Sequence, residues 1–159
     1  MAEDPREQFI DMMTENMKVN GLDELSSRIL ATLFIETEEI SLEELAKKTQ
    51  HSLSSISTNI KLMETAGLIK KFKKPHSKKV FLKMENDIIQ MLLNMLKRKQ
   101  QYIIRRSKDI LPGIIENYKK TKSSKRELQI IERYYKDVLL SENIIDELIS
   151  KIEKLRGKA

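Results

Sequence analysis

The chain has 159 residues, 40% hydrophobic and 34% charged, with a net charge of +6, no cysteine, no tryptophan and only 3 prolines and 4 glycines. This is about one domain with an appended element, too apolar for disorder, and without cysteine it excludes disulfides, thiolate metal sites and cysteine nucleophiles. No stretch approaches the roughly 20 apolar residues of a membrane helix; the densest, Ile88 to Leu96, is broken by Gln90 and Asn94.

The start, Met1-Ala2-Glu3-Asp4-Pro5, is acidic and has no basic-then-apolar leader, which predicts a cytoplasmic protein. Asp4, Pro5 and Glu7 then read as a helix opening, with Asp4 as cap and Pro5 where its missing N–H is harmless. Phe9, Ile10, Met13 and Met17 form one apolar stripe, and Gly21 supplies a stop. Leu25, Ile29, Leu33 and Phe34 define a second helix, and Ile40 a minimal strand. Ser41 and Glu44 have capping-box spacing and open a short helix that ends near Lys48. After a turn at Thr49-Gln50-His51, Ser52 caps a helix whose Leu53, Ile56, Ile60 and Met63 recur at three and four residues and predict a buried stripe. It ends at Gly67. Two strand-like runs follow, Leu68 to Phe72 and Val80 to Met84, joined by a loop holding Pro75, which cannot donate to a ladder.

Three helices, a short turn, a helix and a hairpin with a basic tip make the order of a winged helix-turn-helix. From Ile88 onward the pattern is helical. Ile88, Ile89, Leu92, Leu93, Met95 and Leu96 are too many apolar residues for one narrow face, so this segment is expected to be covered on two sides. Pro112-Gly113 predicts a kink or end near Leu111. Thr121 to Ser124 reads as a loop before a last helix to Leu155. That helix carries Leu128, Ile131, Tyr135, Val138, Ile145, Leu148, Ile152 and Leu155 in a heptad-like pattern interrupted near Ser141-Glu142.

Charge is concentrated rather than spread. Leu68 to Lys83 holds Lys70, Lys71, Lys73, Lys74, Lys78, Lys79 and Lys83 with no acidic residue, a local +7 that leaves −1 for the rest of the chain. Such a segment is either a solvated lysine-rich loop or the electrostatic footprint of a polyanion-binding element. In the preceding helix, burial of the apolar stripe places Ser54, Ser55, Thr58 and Lys61 on the opposite face, with Asn59 toward the side, where it could pair with adenine. These side chains are small enough for a major groove roughly 12 Å wide. The plain alternative is a solvated face, yet serine is a poor choice for one because it competes with its own backbone. The hairpin tip, Lys73 to Lys79, would reach the neighbouring backbone or minor groove, with His76 an ordinary loop residue.

The C-terminal apolar surface has two solutions, an intramolecular helical hairpin or a homodimer. A homodimer would space two winged domains about 34 Å apart for half-sites one turn apart. His51 and His76 stand in no triad or metal spacing, and Gly21, Gly67, Gly113 and Gly157 form no phosphate loop. The acidic residues read as i, i+4 partners of Lys and Arg. The expectation is a protein without catalytic residues, metal or cofactor.

Ser54-Ser55-Ile56-Ser57-Thr58-Asn59-Ile60-Lys61, Gly67-Leu68-Ile69-Lys70-Lys71 and Pro75-His76-Ser77-Lys78-Lys79-Val80-Phe81 together resemble the MarR-type regulators of the GbsR branch, the glycine betaine synthesis repressors. The likeness covers about residues 8 to 110 and is strongest from Leu42 to Lys83. It implies a dimeric winged-helix repressor in which Ser55, Ser57, Thr58, Asn59 and Lys61 lie in the recognition helix and Lys78 and Lys79 are the basic pair of the wing. Two departures stand out. His76 replaces the usual wing glycine. The aromatic cage with which some members sense choline is not carried over, because there is no tryptophan and Tyr102, Tyr118, Tyr134 and Tyr135 read as packing residues.

The combined expectation is a mainly α fold with a small β-hairpin. Residues 1–85 would form the DNA-binding domain, with Ser52, Ser54, Ser55, Ser57, Thr58, Asn59 and Lys61 on the recognition helix and Lys71, Lys73, Lys74, His76, Lys78 and Lys79 on the wing. Residues 86–159 would form a helical dimerisation region that the N-terminal helix could join. The expected partners are double-stranded DNA and a second copy, with no membrane and an effector left unassigned. A winged-helix adaptor that binds another protein is the alternative, and its mark would be an apolar surface on the recognition helix.

Overall fold

The computed structural model describes residues 4–121 and 124–157. The chain divides into two compact units, Met1–Asp87 and Ile88–Ala159. Among the described residues no helix is long and apolar enough to cross a membrane. The acidic start up to Glu3, and Lys122 and Ser123 of the expected loop, lie outside the described residues.

In the first unit, α1 (Pro5–Lys18) begins where the Asp4 carboxylate accepts from the Arg6 amide at 3.0 Å, and Pro5 occupies the first turn. It buries Ile10 and Met13 against α2 (Glu24–Ile35), and Phe9 stacks on Phe34 with ring centroids 6.2 Å apart. Ion pairs fasten this contact: Arg28 binds Glu7 and Asp11, while Glu36 receives Arg6 at 2.6 Å and Lys48 at 2.5 Å. These pairs join different helices, which corrects the i, i+4 expectation. Among the described residues only Lys120–Glu116 has that spacing, with Lys18–Glu15 at i, i+3.

Strand β1 (Ile40–Ser41) leads directly into α3 (Leu42–Thr49), whose capping box is complete: the Glu44 amide donates to Ser41 Oγ at 3.2 Å and the Ser41 amide to Glu44 Oε2 at 2.7 Å. Gln50, at φ 58°, stops α3 in the left-handed region, and Ser52 then caps α4 (Leu53–Thr65) by accepting from the Ser55 amide at 3.2 Å. Strands β2 (Ile69–Lys73) and β3 (Val80–Met84) pair antiparallel, and β1 adds to β3 with Ile40 opposite Leu82, giving the order β1-β3-β2. Ile29, Leu30, Leu45, Ile56, Ile60 and Leu82 are essentially sealed from solvent. Each such side chain contributes roughly 1.5–3 kcal/mol on burial.

The second unit contains α5 (Ile88–Lys99), a π-helical turn (Gln100–Ile104), α6 (Arg105–Lys120) and α7 (Lys125–Arg156). The expected break at Pro112 is absent: α6 runs through it, and the irregularity lies instead at the π turn. Helix α7 is continuous, as the last helix was expected to be. Leu96 and Ile104 pack against Val138 and Ile145, with Leu111, Ile149 and Ile152 at the rim. Lys97–Glu153 at 2.6 Å, Lys108–Glu142 at 2.6 Å and Lys119–Glu132 at 3.0 Å mark an antiparallel pairing along α7. The two apolar stripes expected on α5 are both present, but only one is covered. Leu93 and Leu96 are buried, whereas Ile88, Ile89, Leu92 and Met95 are exposed. Leu148 and Leu155 also face solvent, as do Tyr102 and Tyr134, which corrects their reading as packing residues; Tyr118 and Tyr135 are half-buried.

Candidate nucleic-acid interface

Helix α4 is held by Ile56, Ile60 and Met63, all buried. Leu53, expected to join them, is 45% exposed because it opens the helix before the buried face has formed. Burial of that face turns Ser54, Ser57, Thr58 and Lys61 outward, and Ser55 is half-buried. Ser52 is exposed, but its hydroxyl is engaged as the cap.

Asn59 departs from the expectation that it reaches a base. Its Nδ2 donates to the Ser55 carbonyl at 3.0 Å, and its Oδ1 lies 2.8 Å from Ser26 Oγ on α2. That hydroxyl is also 2.9 Å from Asp23 Oδ2, so Asp23, Ser26 and Asn59 form a polar chain that docks the outward-facing helix on α2. The Asp23 carboxyl is held below its usual range, chiefly by the Ser26 amide and then by the Ser26 hydroxyl.

The β2–β3 hairpin carries the lysines. Between its strands the Ser77 amide donates to the Lys74 carbonyl at 3.2 Å, with Pro75 second and His76 third in the turn. His76 has φ 61°, the left-handed conformation that the third position of a type II turn requires and that glycine usually supplies. Histidine is among the side chains that tolerate it. The replacement of glycine therefore leaves this turn possible.

The lysines divide into two groups. Lys71 pairs with Glu64 of α4 at 2.9 Å, Lys74 with Glu39 at 3.5 Å, and Lys83 lies 4.0 Å from the same Glu39. Lys74 also sits 4.3 Å from the centroid of Phe81, which stacks on Phe72. The Glu39 carboxyl is held low by its own backbone amide first and by these lysines next. Lys70, Lys73, Lys78 and Lys79 are exposed and form no close ion pair among the described residues, although Lys79 is near enough to Glu44 to help hold its carboxyl low. Lys70 was missing from the expected wing set. Strand alternation could have found it, since it stands directly opposite Lys83 in the ladder. A like-charge cross-strand pair costs stability, so this edge is built for something other than stability. The two glutamate braces, Glu39 and Glu64, left no local signal in the sequence.

Ser54, Ser57, Thr58, Lys61 and the hairpin lysines are thus brought together in one unit, with the Lys71–Glu64 pair joining helix to strand. Among the described residues no group of three or more His, Cys, Asp or Glu could hold a metal ion.

No protein-family model matches the chain, and no curated protein matches it. A solved structure described as a transcriptional regulator matches 95% of this chain and 99% of its own, with a TM-score of 0.71 at 16% sequence identity. Transcriptional regulator PA4135 matches 74% of this chain and 92% of its own at 18% identity, with a TM-score of only 0.42. The first likeness is one of fold: a mainly helical chain with a small antiparallel sheet, arranged as a winged helix-turn-helix followed by helices.

Proposed function

We propose that this chain is a homodimeric transcriptional regulator, not an enzyme, that binds specific sites on double-stranded DNA. In this reading α4 enters the major groove and the β2–β3 wing lies on the backbone or minor groove. The observation that carries it is the set of exposed lysines in no close ion pair among the described residues, Lys70, Lys73, Lys78 and Lys79, in the same unit as a helix whose outward face is hydroxyl-rich. Phosphate is the ligand such a surface lacks. The residue patterns shared with MarR-like proteins favour a repressor of the GbsR branch, and chromosomal DNA as partner implies a cytoplasmic protein.

The helical unit would supply the dimer contact. Ile88, Leu92 and Met95 form one exposed stripe on α5, and Ile144, Leu148 and Leu155 another on α7. Apolar surface of this extent on one small unit marks an interaction site.

The test is the salt dependence of duplex binding. With about six to eight phosphate contacts per dimer, log K should fall against log salt with a slope near −5 to −7. Replacing Lys73, Lys74, Lys78 and Lys79 by Ala should flatten that slope markedly, and an unchanged slope would remove the wing from the interface. One observation favours the adaptor reading: Leu62 of α4 is 67% exposed, as Leu53 is in part. Nine residues apart, these two leucines fall on opposite sides of the helix and make no continuous apolar face. Salt-insensitive binding to a protein, with no duplex affinity, would decide for the adaptor.

A further inference from the structure

Bidentate base recognition uses Arg or Lys on guanine and Asn or Gln on adenine, and carboxylates accept from cytosine. The outward face of α4 offers almost none of these. Asn59 is already engaged by Ser26 and the Ser55 carbonyl, and Glu64 is paired with Lys71. Lys61 remains as a single point charge among Ser54, Ser57 and Thr58.

Thr58 is the distinctive group in this set. It lies between Ser54 and Lys61 at helical spacings of four and three, in the middle of the outward stripe. Its Oγ1 donates to the Ser54 carbonyl at 3.1 Å. A hydroxyl has one proton, and here the helix takes it. What Thr58 can show a groove is therefore an acceptor oxygen and a methyl group, and no donor.

In the major groove both pairs present an amino donor, N6 of adenine or N4 of cytosine, but only an A·T pair adds the C5 methyl of thymine, whereas the guanine of a G·C pair presents two acceptors. An acceptor beside a methyl complements the first pattern. Against the second, the methyl would cover acceptors that have lost their water. We propose that Thr58 is the specificity-determining residue of α4 and selects an A·T pair, its Oγ1 accepting from the adenine amino group and its methyl packing on the thymine methyl. This rests on α4 being the helix that enters the groove.

The experiment pairs a protein methyl with a DNA methyl. A 30-bp duplex is first selected by the wild-type protein from a random pool at low salt, and each thymine is then replaced in turn by deoxyuridine, which lacks only the methyl. At one A·T pair in each half-site, uracil should weaken wild-type binding about fourfold, as expected for one buried methyl. Thr58→Val keeps its methyl and should retain that penalty, whereas Thr58→Ser has none and should lose it. If a duplex is selected but every uracil costs wild type and Thr58→Ser alike, the assignment of Thr58 is overturned and DNA binding stands. If the wild-type protein enriches no duplex at all, the DNA-binding reading falls, and this assignment with it.

Discussion

Residues 1–87 bury Ile29, Leu30, Leu45, Ile56, Ile60 and Leu82 almost fully, yet leave Lys70, Lys73, Lys78 and Lys79 in no close ion pair among the described residues. Residues 88–159 show another pattern. Their lysines at 97, 108 and 119 each hold a glutamate of α7, while Ile88, Leu92, Met95, Leu148 and Leu155 stay open to water. The first unit gathers its unpaired lysines on one hairpin, and the second leaves its apolar residues open in stripes. In the proposed reading the hairpin lysines face a polyanion and the open stripes face a second copy of the chain.

The strongest way to break this contrast is to charge the open stripe. The double substitution of Ile88→Asp and Leu92→Asp should give a monomer by sedimentation equilibrium, with duplex affinity lowered about a thousandfold through the loss of bivalent binding. A variant that remains dimeric would show that the stripe is not the contact. Next in size is the core of the winged unit. Ile56→Ala should cost about 3 kcal/mol in urea unfolding, whereas Ile145→Ala, at the thinner core of the helical unit, should cost about 2 kcal/mol. Equal losses would mean that the two cores are equally closed.

The smallest effects concern pH. The carboxyl of Glu44 is held low by the Ser41 amide first, and that of Asp23 by the Ser26 amide. The stability these caps give is whole above the usual values of 4.5 and 3.8 and drains as pH falls through the lower folded ones. Lys108 is raised above 10.5, chiefly by its hydrogen bond to Glu142, so its contribution is whole below that value and is lost as pH rises through the folded one. Unfolding followed across pH should show the acid dependence flattened by Glu44→Gln and the alkaline dependence flattened by Lys108→Met. A variant that leaves its limb unchanged would remove that group from the pH dependence.

What was legible in the residues was local. Asp4, Ser41 and Ser52 announce helix starts because a cap and its helix are contiguous, and Ile56, Ile60 and Met63 announce a buried face because helical spacing repeats within a few residues. The hairpin and its lysines could be read for the same reason. The misses came from distance along the chain or from context. Ser26 finds Asn59 across 33 residues, and that contact takes away the side chain that looked most like a base reader. Glu39 reaches Lys74 and Lys83 only because β1 is carried to β3. Leu53 has the right spacing for the core, but it precedes the turns that bury the others. At Pro112 a general rule about helix ends was overridden: α6 continues through it.

In the proposed reading the braces at Glu39 and Glu64 bear on how the wing would meet DNA. Two carboxylates attend three of its seven lysines, so the hairpin in part carries its own counterions. When such a lysine exchanges glutamate for phosphate, the ion it sheds is covalently part of the protein, and no extra entropy is gained by release into bulk solution. Lys71, Lys74 and Lys83 should therefore add less to the electrolyte sensitivity of binding than Lys70, Lys73, Lys78 and Lys79, and a simple tally of lysines overstates it.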